Sequence, residues 1–155
     1  MTLKRLLPLL LLAGCTFNVK ESNIVFGRAV PLPDIDVVRE ANPGFQVEQQ
    51  WIRTRDGEEL FSLRFMREDA VATVLYFGGN GYSVARSGER TSSVYRDLPV
   101  NLVLVDHRGY GGSTGSASVS ALMSDALEVY DAVRADSTLG DLPVVVHGHS
   151  LGSFM

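Results

Sequence analysis

Leu142-Pro143-Val144-Val145-Val146-His147-Gly148-His149-Ser150-Leu151-Gly152 is the stretch whose reading decides the fold. Its first half is a short β-branched apolar run, the pattern of a strand buried on both faces of a parallel sheet. That run leads directly into G-x-S-x-G, with a prospective helix beyond it, and this context is what gives the pentapeptide meaning. A serine on so sharp a strand-to-helix turn is forced towards strained backbone angles, and glycines two positions to either side let neighbouring segments approach without side-chain clashes. The hydroxyl of Ser150 is predicted to project above the carboxyl edge of the sheet. The N–H of Leu151 points at the same spot, beside a helix start whose dipole favours negative charge. The competing reading is an ordinary strand-to-helix turn with a solvated serine.

Working outward, Ala72 to Phe77 and Leu102 to Asp106 are further short apolar runs that read as buried strands. Between them, Val84 to Arg96 has room for a helix. Val119 to Ala135 carries Leu122, Ala126, Val129 and Val133 at three- and four-residue steps, an amphipathic helix with Ser118 as its cap. Upstream, Val47 to Arg53 and Glu59 to Met66 flank Asp56-Gly57, a strong hairpin-turn dipeptide, and are predicted to pair antiparallel. Prolines at 31, 33 and 43 and the absence of periodicity mark residues 16–43 as a tether, with a short lead-in helix over Asp34 to Glu40. The predicted class is α/β: an N-terminal antiparallel hairpin leading into a mostly parallel sheet with flanking helices.

Composition supports a packed domain. Of 155 residues, 45% are hydrophobic and 21% charged, enough to bury a core. The formal charge of −4 offers no basic surface for nucleic acid. One cysteine, Cys15, excludes an internal disulfide and a cysteine-based metal site.

Two more segments carry chemistry. Phe77-Gly78-Gly79-Asn80-Gly81 follows the first core strand, where glycine lets backbone N–H groups turn towards a substrate oxyanion instead of pairing in a sheet. It lacks the Lys-Ser/Thr of a phosphate loop, so ATP binding is not expected. Asp106-His107-Arg108-Gly109-Tyr110-Gly111-Gly112-Ser113 follows the second. With the elbow, these segments resemble the α/β-hydrolase superfamily, nearest its serine-aminopeptidase-like branch of esterases and peptidases: an H-G-x-type oxyanion segment with Gly78 in place of the usual histidine, then D-x-R-G-x-G-x-S, then G-x-S-x-G. The resemblance implies a serine hydrolase acting on a small-molecule or peptide acyl substrate. Ser150 is its nucleophile, and the backbone N–H groups of Asn80 and Leu151 form its oxyanion hole; a one-residue shift of register would move the first donor to Gly81. Asp106 and Arg108 shape their loop in that branch and take no part in the chemistry. No metal and no organic cofactor is implied.

The first residues read as an address. Met1 to Cys15 comprises a charged start (Lys4, Arg5), an apolar run too short for the roughly 20 residues a bilayer requires, and Leu12-Ala13-Gly14-Cys15. The last four resemble the lipobox of bacterial lipoproteins, in which cleavage precedes the cysteine and lipid is attached to it. The alternatives are an ordinary secretory signal or a buried helix with an inert cysteine. The resulting division is a signal peptide at 1–14, a lipidated Cys15 and tether at 15–44, and the front part of a hydrolase domain at 45–155. Thr16, where an aspartate would favour inner-membrane retention, points to the periplasmic side of the outer membrane in a Gram-negative cell.

In the α/β-hydrolase order the triad acid and histidine follow the serine. His107, His147 and His149 all precede it or adjoin it: His147 is read as a core histidine on a buried strand, and His149 as shaping the oxyanion side of the elbow. The expectation is therefore an N-terminal fragment, inactive without the missing acid and histidine, whose last strand is left as an unprotected edge. The rival expectation is a non-catalytic, membrane-anchored binding lipoprotein with a relic hydrolase scaffold.

Overall fold

Alternation along the central strands sets the architecture. The computed structural model describes residues 20–155. Its elements are α1 (Ile35–Ala41), β1 (Gln46–Arg53), β2 (Glu59–Met66), β3 (Ala72–Phe77), α2 (Val84–Tyr95), β4 (Val100–Val105), α3 (Val119–Ala135) and β5 (Val144–Gly148), with short 3-10 turns at Glu21–Asn23 and Ser150–Phe154. On β4, Leu102 and Leu104 join a core with Phe61, Leu63, Phe65, Val74, Val84 and Tyr95. The intervening Val103 and Val105 join a second core with Leu75, Phe77, Ala126, Val129 and Val133. Because successive side chains of a strand point to opposite faces, α2 and α3 cover opposite sides of the sheet.

The sheet runs β1-β2-β4-β3-β5. β1 and β2 form the predicted antiparallel hairpin, closed over residues 54–58 with Gly57 at φ 94°. β2 then pairs antiparallel with β4, while β3 lies parallel to both β4 and β5. The predicted class, hairpin first and parallel strands after, is the observed one. The helix cap is also observed: Ser118 Oγ accepts from the Ala121 N–H at 3.2 Å. α1 is capped likewise by Asp34, which accepts from the Asp36 N–H at 3.0 Å.

Three expectations need correction. The VVV run of β5 was predicted to be buried on both faces, but β5 has only β3 beside it among the described strands, and Val145 and Val146 are 50% and 46% exposed. His147 accordingly is not a core histidine: it lies on the exposed part of β5, with Nδ1 hydrogen-bonded to the Tyr95 hydroxyl. The chain after Ser150 forms a 3-10 turn rather than an α-helix. Separately, from Lys20 onward the segment expected to act as a tether is laid against the domain. Val25 is 3% exposed, and Gly111 pairs with the segment on both sides of Ala29, its carbonyl accepting from the Val30 N–H and its N–H donating to Arg28 O. Backbone groups that find partners on a preformed loop, with one apolar side chain buried beside them, offset the entropy of ordering such a stretch. Cys15 and the rest of residues 1–19 lie outside the described residues.

Candidate active site

The turn after β5 has the geometry that its sequence demands. Ser150 has φ 53° and is the one non-glycine residue with positive φ among those described. That left-handed conformation is sterically unfavourable for a side chain and is held by its surroundings at about 1–3 kcal/mol. The surroundings are tight: a methyl at Gly148 would sit 2.2 Å from the Gly152 carbonyl oxygen, and one at Gly152 only 2.1 Å from that of Phe77. The His149 N–H donates to Phe77 O at 3.0 Å and the Gly152 N–H to His149 O at 3.0 Å, which fastens the turn to the end of β3. The Ser150 side chain itself is exposed.

The segment after β3 lies against this turn. A methyl at Gly79 would stand 3.2 Å from Ser150 Cβ and 3.1 Å from His149 Nδ1. Gly78, where the resemblance leads one to expect a histidine, is covered by the Tyr82 ring; a methyl there would fall 2.1 Å from Tyr82 Cγ. The tyrosine fills the volume that a larger residue at 78 would need. Asn80 is exposed, yet its side chain is held at both ends: Nδ2 donates to Ile24 O at 2.5 Å, and Oδ1 accepts from the Tyr110 hydroxyl at 2.7 Å. Among the described residues, neither the Asn80 N–H nor the Leu151 N–H is taken up by another group. Asn80 follows the carboxyl end of β3 and Leu151 that of β5, the edge at which ligands of open α/β folds bind.

The loop after β4 is built on buried charge. Arg108 donates to both carboxylate oxygens of Asp125, at 2.9 and 2.6 Å, and of Asp56, at 2.5 and 2.9 Å. This double fork ties the loop to α3 and to the hairpin turn. Hydrogen bonding to Arg108 holds the Asp56 carboxyl well below the usual range, and the two carboxylates hold the guanidinium charged. Asp106 is fully buried and accepts from the first-turn N–H of α2 at Val84 (2.6 Å) and from Gly112 N–H (2.9 Å). Burial pushes its carboxyl up to about 6, with those two hydrogen bonds opposing the shift. Both residues thus serve the shape of the loop.

His107, between them, is 4% exposed and places Nε2 2.8 Å from the Gly78 carbonyl oxygen. Burial lowers its pKa, so the ring is neutral at physiological pH. Sequence reasoning passed over His107 and Tyr110 because they fill the unspecified positions of D-x-R-G-x-G, and nothing in a linear pattern marks which side chains reach the neighbouring loop. Among the described residues no side chain, including those of the three histidines, is hydrogen-bonded to the Ser150 hydroxyl. No cluster of histidine, cysteine and carboxylate side chains fit to hold a metal ion occurs among them either.

The sheet order, the strained serine turn and the glycine segment beside it make up the front part of the α/β-hydrolase fold, which solved structures share, and in sequence the chain is similar to α/β-hydrolases. The proteins it is similar to in sequence include a lipase and an α/β-hydrolase domain-containing protein. Lysophosphatidylserine lipase ABHD12 of Mus musculus is 34% identical over 110 residues, which are 66% of this chain and 26% of that protein. The α/β-hydrolase domain-containing protein WAV2 of Arabidopsis thaliana is 28% identical over 107 residues, 68% of this chain and 35% of that protein. An esterase of Pyrococcus furiosus superposes with a TM-score of 0.66 over 84% of this chain and 48% of its own, at 17% identity. An α/β-hydrolase of Vibrio vulnificus gives 0.64 over 79% and 42%, at 20% identity. No family model matches the chain. The matched segment amounts to about a quarter of the length of the lipase.

Proposed function

We propose that Ser150 is the nucleophile of a serine hydrolase that cleaves carboxylic esters, with thioesters and amides open to the same chemistry. One observation carries this reading: an exposed serine held at φ 53° on the turn after a parallel strand, with the backbone of Phe77 to Gly79 packed against that turn. Strain of that kind clusters at functional sites, where surrounding structure enforces it. In the reaction the Ser150 oxygen attacks the carbonyl carbon, its proton passes to a histidine, and the tetrahedral oxyanion is held by the N–H groups of Asn80 and Leu151. Each such donor is worth roughly 3 kcal/mol to the transition state. Collapse expels the alcohol with the proton returned by the histidine, and water then releases the acid from the acyl-serine.

The histidine and the acid that orients it are assigned to chain following Ser150, in the order this fold uses. For residues 1–155 taken alone we propose no turnover, because a serine without a base is a weak nucleophile at neutral pH. Relatives named as a lipase and esterases favour an ester substrate, of an amphiphile or a small molecule. The test is labelling of the full-length protein with a fluorophosphonate, with Ser150→Ala alongside. Labelling abolished by the substitution is the expected result. No labelling of the wild-type protein would sink the enzymatic reading and leave a membrane-anchored binding protein with a relic elbow.

We propose further that Cys15 is lipidated after cleavage at Gly14, anchoring the domain to the periplasmic face of a bacterial outer membrane. The support is the sequence Leu12-Ala13-Gly14-Cys15, preceded by Lys4-Arg5 and a short apolar run. Several acyl chains, at about 0.8 kcal/mol per buried CH₂, suffice for stable attachment. Growth with an alkyne-tagged fatty acid should label the wild-type protein and not Cys15→Ser; equal labelling of both would remove the proposal.

A further inference from the structure

The loop after β4 touches the segment after β3 at two points, one on each side of Gly79, the residue packed on Ser150. His107 Nε2 meets the carbonyl of Gly78 at 2.8 Å, and the Tyr110 hydroxyl donates to Asn80 Oδ1 at 2.7 Å. A carbonyl only accepts, so the ring proton of the neutral imidazole sits on Nε2. The donor cannot wander: the ring stacks on Phe77 at 6.1 Å with 9° between planes, and meets Tyr110 edge-on at 5.6 Å and 78°. His107 and Tyr110 are 4% and 1% exposed. Their loop is pinned on each side by Asp106, with its two backbone donors, and by Arg108 between its two carboxylates.

Peptide planarity carries these contacts to the chemistry. In a trans peptide the N–H points opposite to the carbonyl of the same unit. The Gly78 carbonyl is held by His107, and the Gly79 carbonyl accepts from the Tyr82 N–H at 3.0 Å. The first peptide plane, held by His107, carries the Gly79 N–H, and the adjoining one, held by the Tyr82 N–H, carries the Asn80 N–H, so His107 acts on the second through the first. The Asn80 side chain, tied to Tyr110 and to Ile24 O, closes the far end.

We propose that His107 and Tyr110 are positioning residues: acting through Gly78 and Asn80, they aim the Asn80 N–H at the carbonyl oxygen being attacked at Ser150. This rests on the serine-hydrolase reading above. Neither residue touches the substrate, so their removal acts on the transition state and leaves ground-state binding alone.

The experiment uses the full-length protein, first shown to react with a fluorophosphonate in a Ser150-dependent way. Turnover of a p-nitrophenyl ester and affinity for a trifluoromethyl ketone are then measured for His107→Leu, His107→Gln and Tyr110→Phe. Loss of the N–H donor in His107→Leu should lower kcat by roughly 10- to 100-fold, as a misaimed donor does, with KM little changed. Affinity for the ketone, which becomes a tetrahedral oxyanion when Ser150 adds to it, should fall in parallel. His107→Gln, which keeps an N–H donor, should recover most of the loss, and Tyr110→Phe should show a smaller loss of the same kind. Wild-type kcat and ketone affinity in both His107→Leu and Tyr110→Phe would overturn the proposal while leaving Ser150 as nucleophile. So would losses that follow the thermal midpoint and are not restored by His107→Gln. Absence of wild-type labelling overturns the hydrolase reading, and this inference with it.

Discussion

β4 and β5 flank the same strand, β3, both parallel to it and both written in short β-branched runs, yet their surroundings differ. Leu102 to Val105 of β4 are at most 1% exposed, with β2 on the far side and a core on each face; Val145 and Val146 of β5 are 50% and 46% exposed. The turns that leave the two strands differ in the same sense. After β4, Asp106 and Arg108 are buried and fully engaged with partners from the hairpin, α2 and α3. After β5, Ser150 is exposed and strained, with its hydroxyl uncommitted among the described residues. One carboxyl edge is invested in stability and the other in an exposed, strained serine, the nucleophile proposed above. The first can hold the second in place because β3, and the glycine segment that leaves it, lies between them.

Breaking the stable side should have the largest effect. Arg108→Met leaves two carboxylates facing each other without their cation, one of them buried on Asp125, and should lower the stability of the chain by about 3–5 kcal/mol in a urea titration. A loss under about 1 kcal/mol would mean that solvent, not the fork, satisfies these carboxylates.

Asp106 gives the next effect, read through pH. Its folded value of about 6 lies above the ordinary 3.8, so the folded state binds this proton more tightly than the unfolded chain does. Its contribution to stability is complete below the unfolded value and is lost as pH rises through about 6, an effect of up to about 3 kcal/mol by linkage. Relative to Asp106→Asn, which does not titrate, the wild-type chain should lose stability between pH 4 and 6.5. A difference that stays constant across that interval would place the carboxyl at an ordinary pKa.

At the strained turn after β5 the sign reverses. Ser150→Gly relieves a left-handed side chain and should raise stability by about 1 kcal/mol, since glycine adopts that conformation freely while losing more entropy on folding. The same substitution should abolish fluorophosphonate labelling of the full-length protein. Destabilisation by Ser150→Gly would mean that the turn is not strained.

The smallest effect belongs to the face of β5. Val146→Thr should change the stability of this chain by no more than about 0.5 kcal/mol, as exposed positions do. A cost above about 1 kcal/mol in the full-length protein would sharpen the contrast, by showing that this face is covered there.

The legible parts of the fold were those governed by local rules. Strand and helix limits followed from runs and periods: Ala72–Phe77, Glu59–Met66 and Val119–Ala135 stand where the pattern puts them. The hairpin followed from Asp56-Gly57, because only glycine accepts the φ of 94° at that turn without penalty. Less was legible where two distant segments meet. Nothing along the chain says that Tyr82 replaces the bulk missing at Gly78, that Asn80 bridges Ile24 and Tyr110, or that residues 20–30 lie on the domain instead of hanging from it. The apolar run of β5 misled in the other direction, since composition reports what a strand can bury and not which neighbours it has.

By itself the sequence determined the α/β class, the order of the elements and the serine turn, because strand period, turn chemistry and glycine spacing act over a few residues. Only the tertiary structure decided which groups surround that serine. His107 and Tyr110, from the loop after β4, meet Gly78 and Asn80 of the segment packed beside Ser150 because β3 lies between β4 and β5, and the pairing order of strands is a property of the folded sheet.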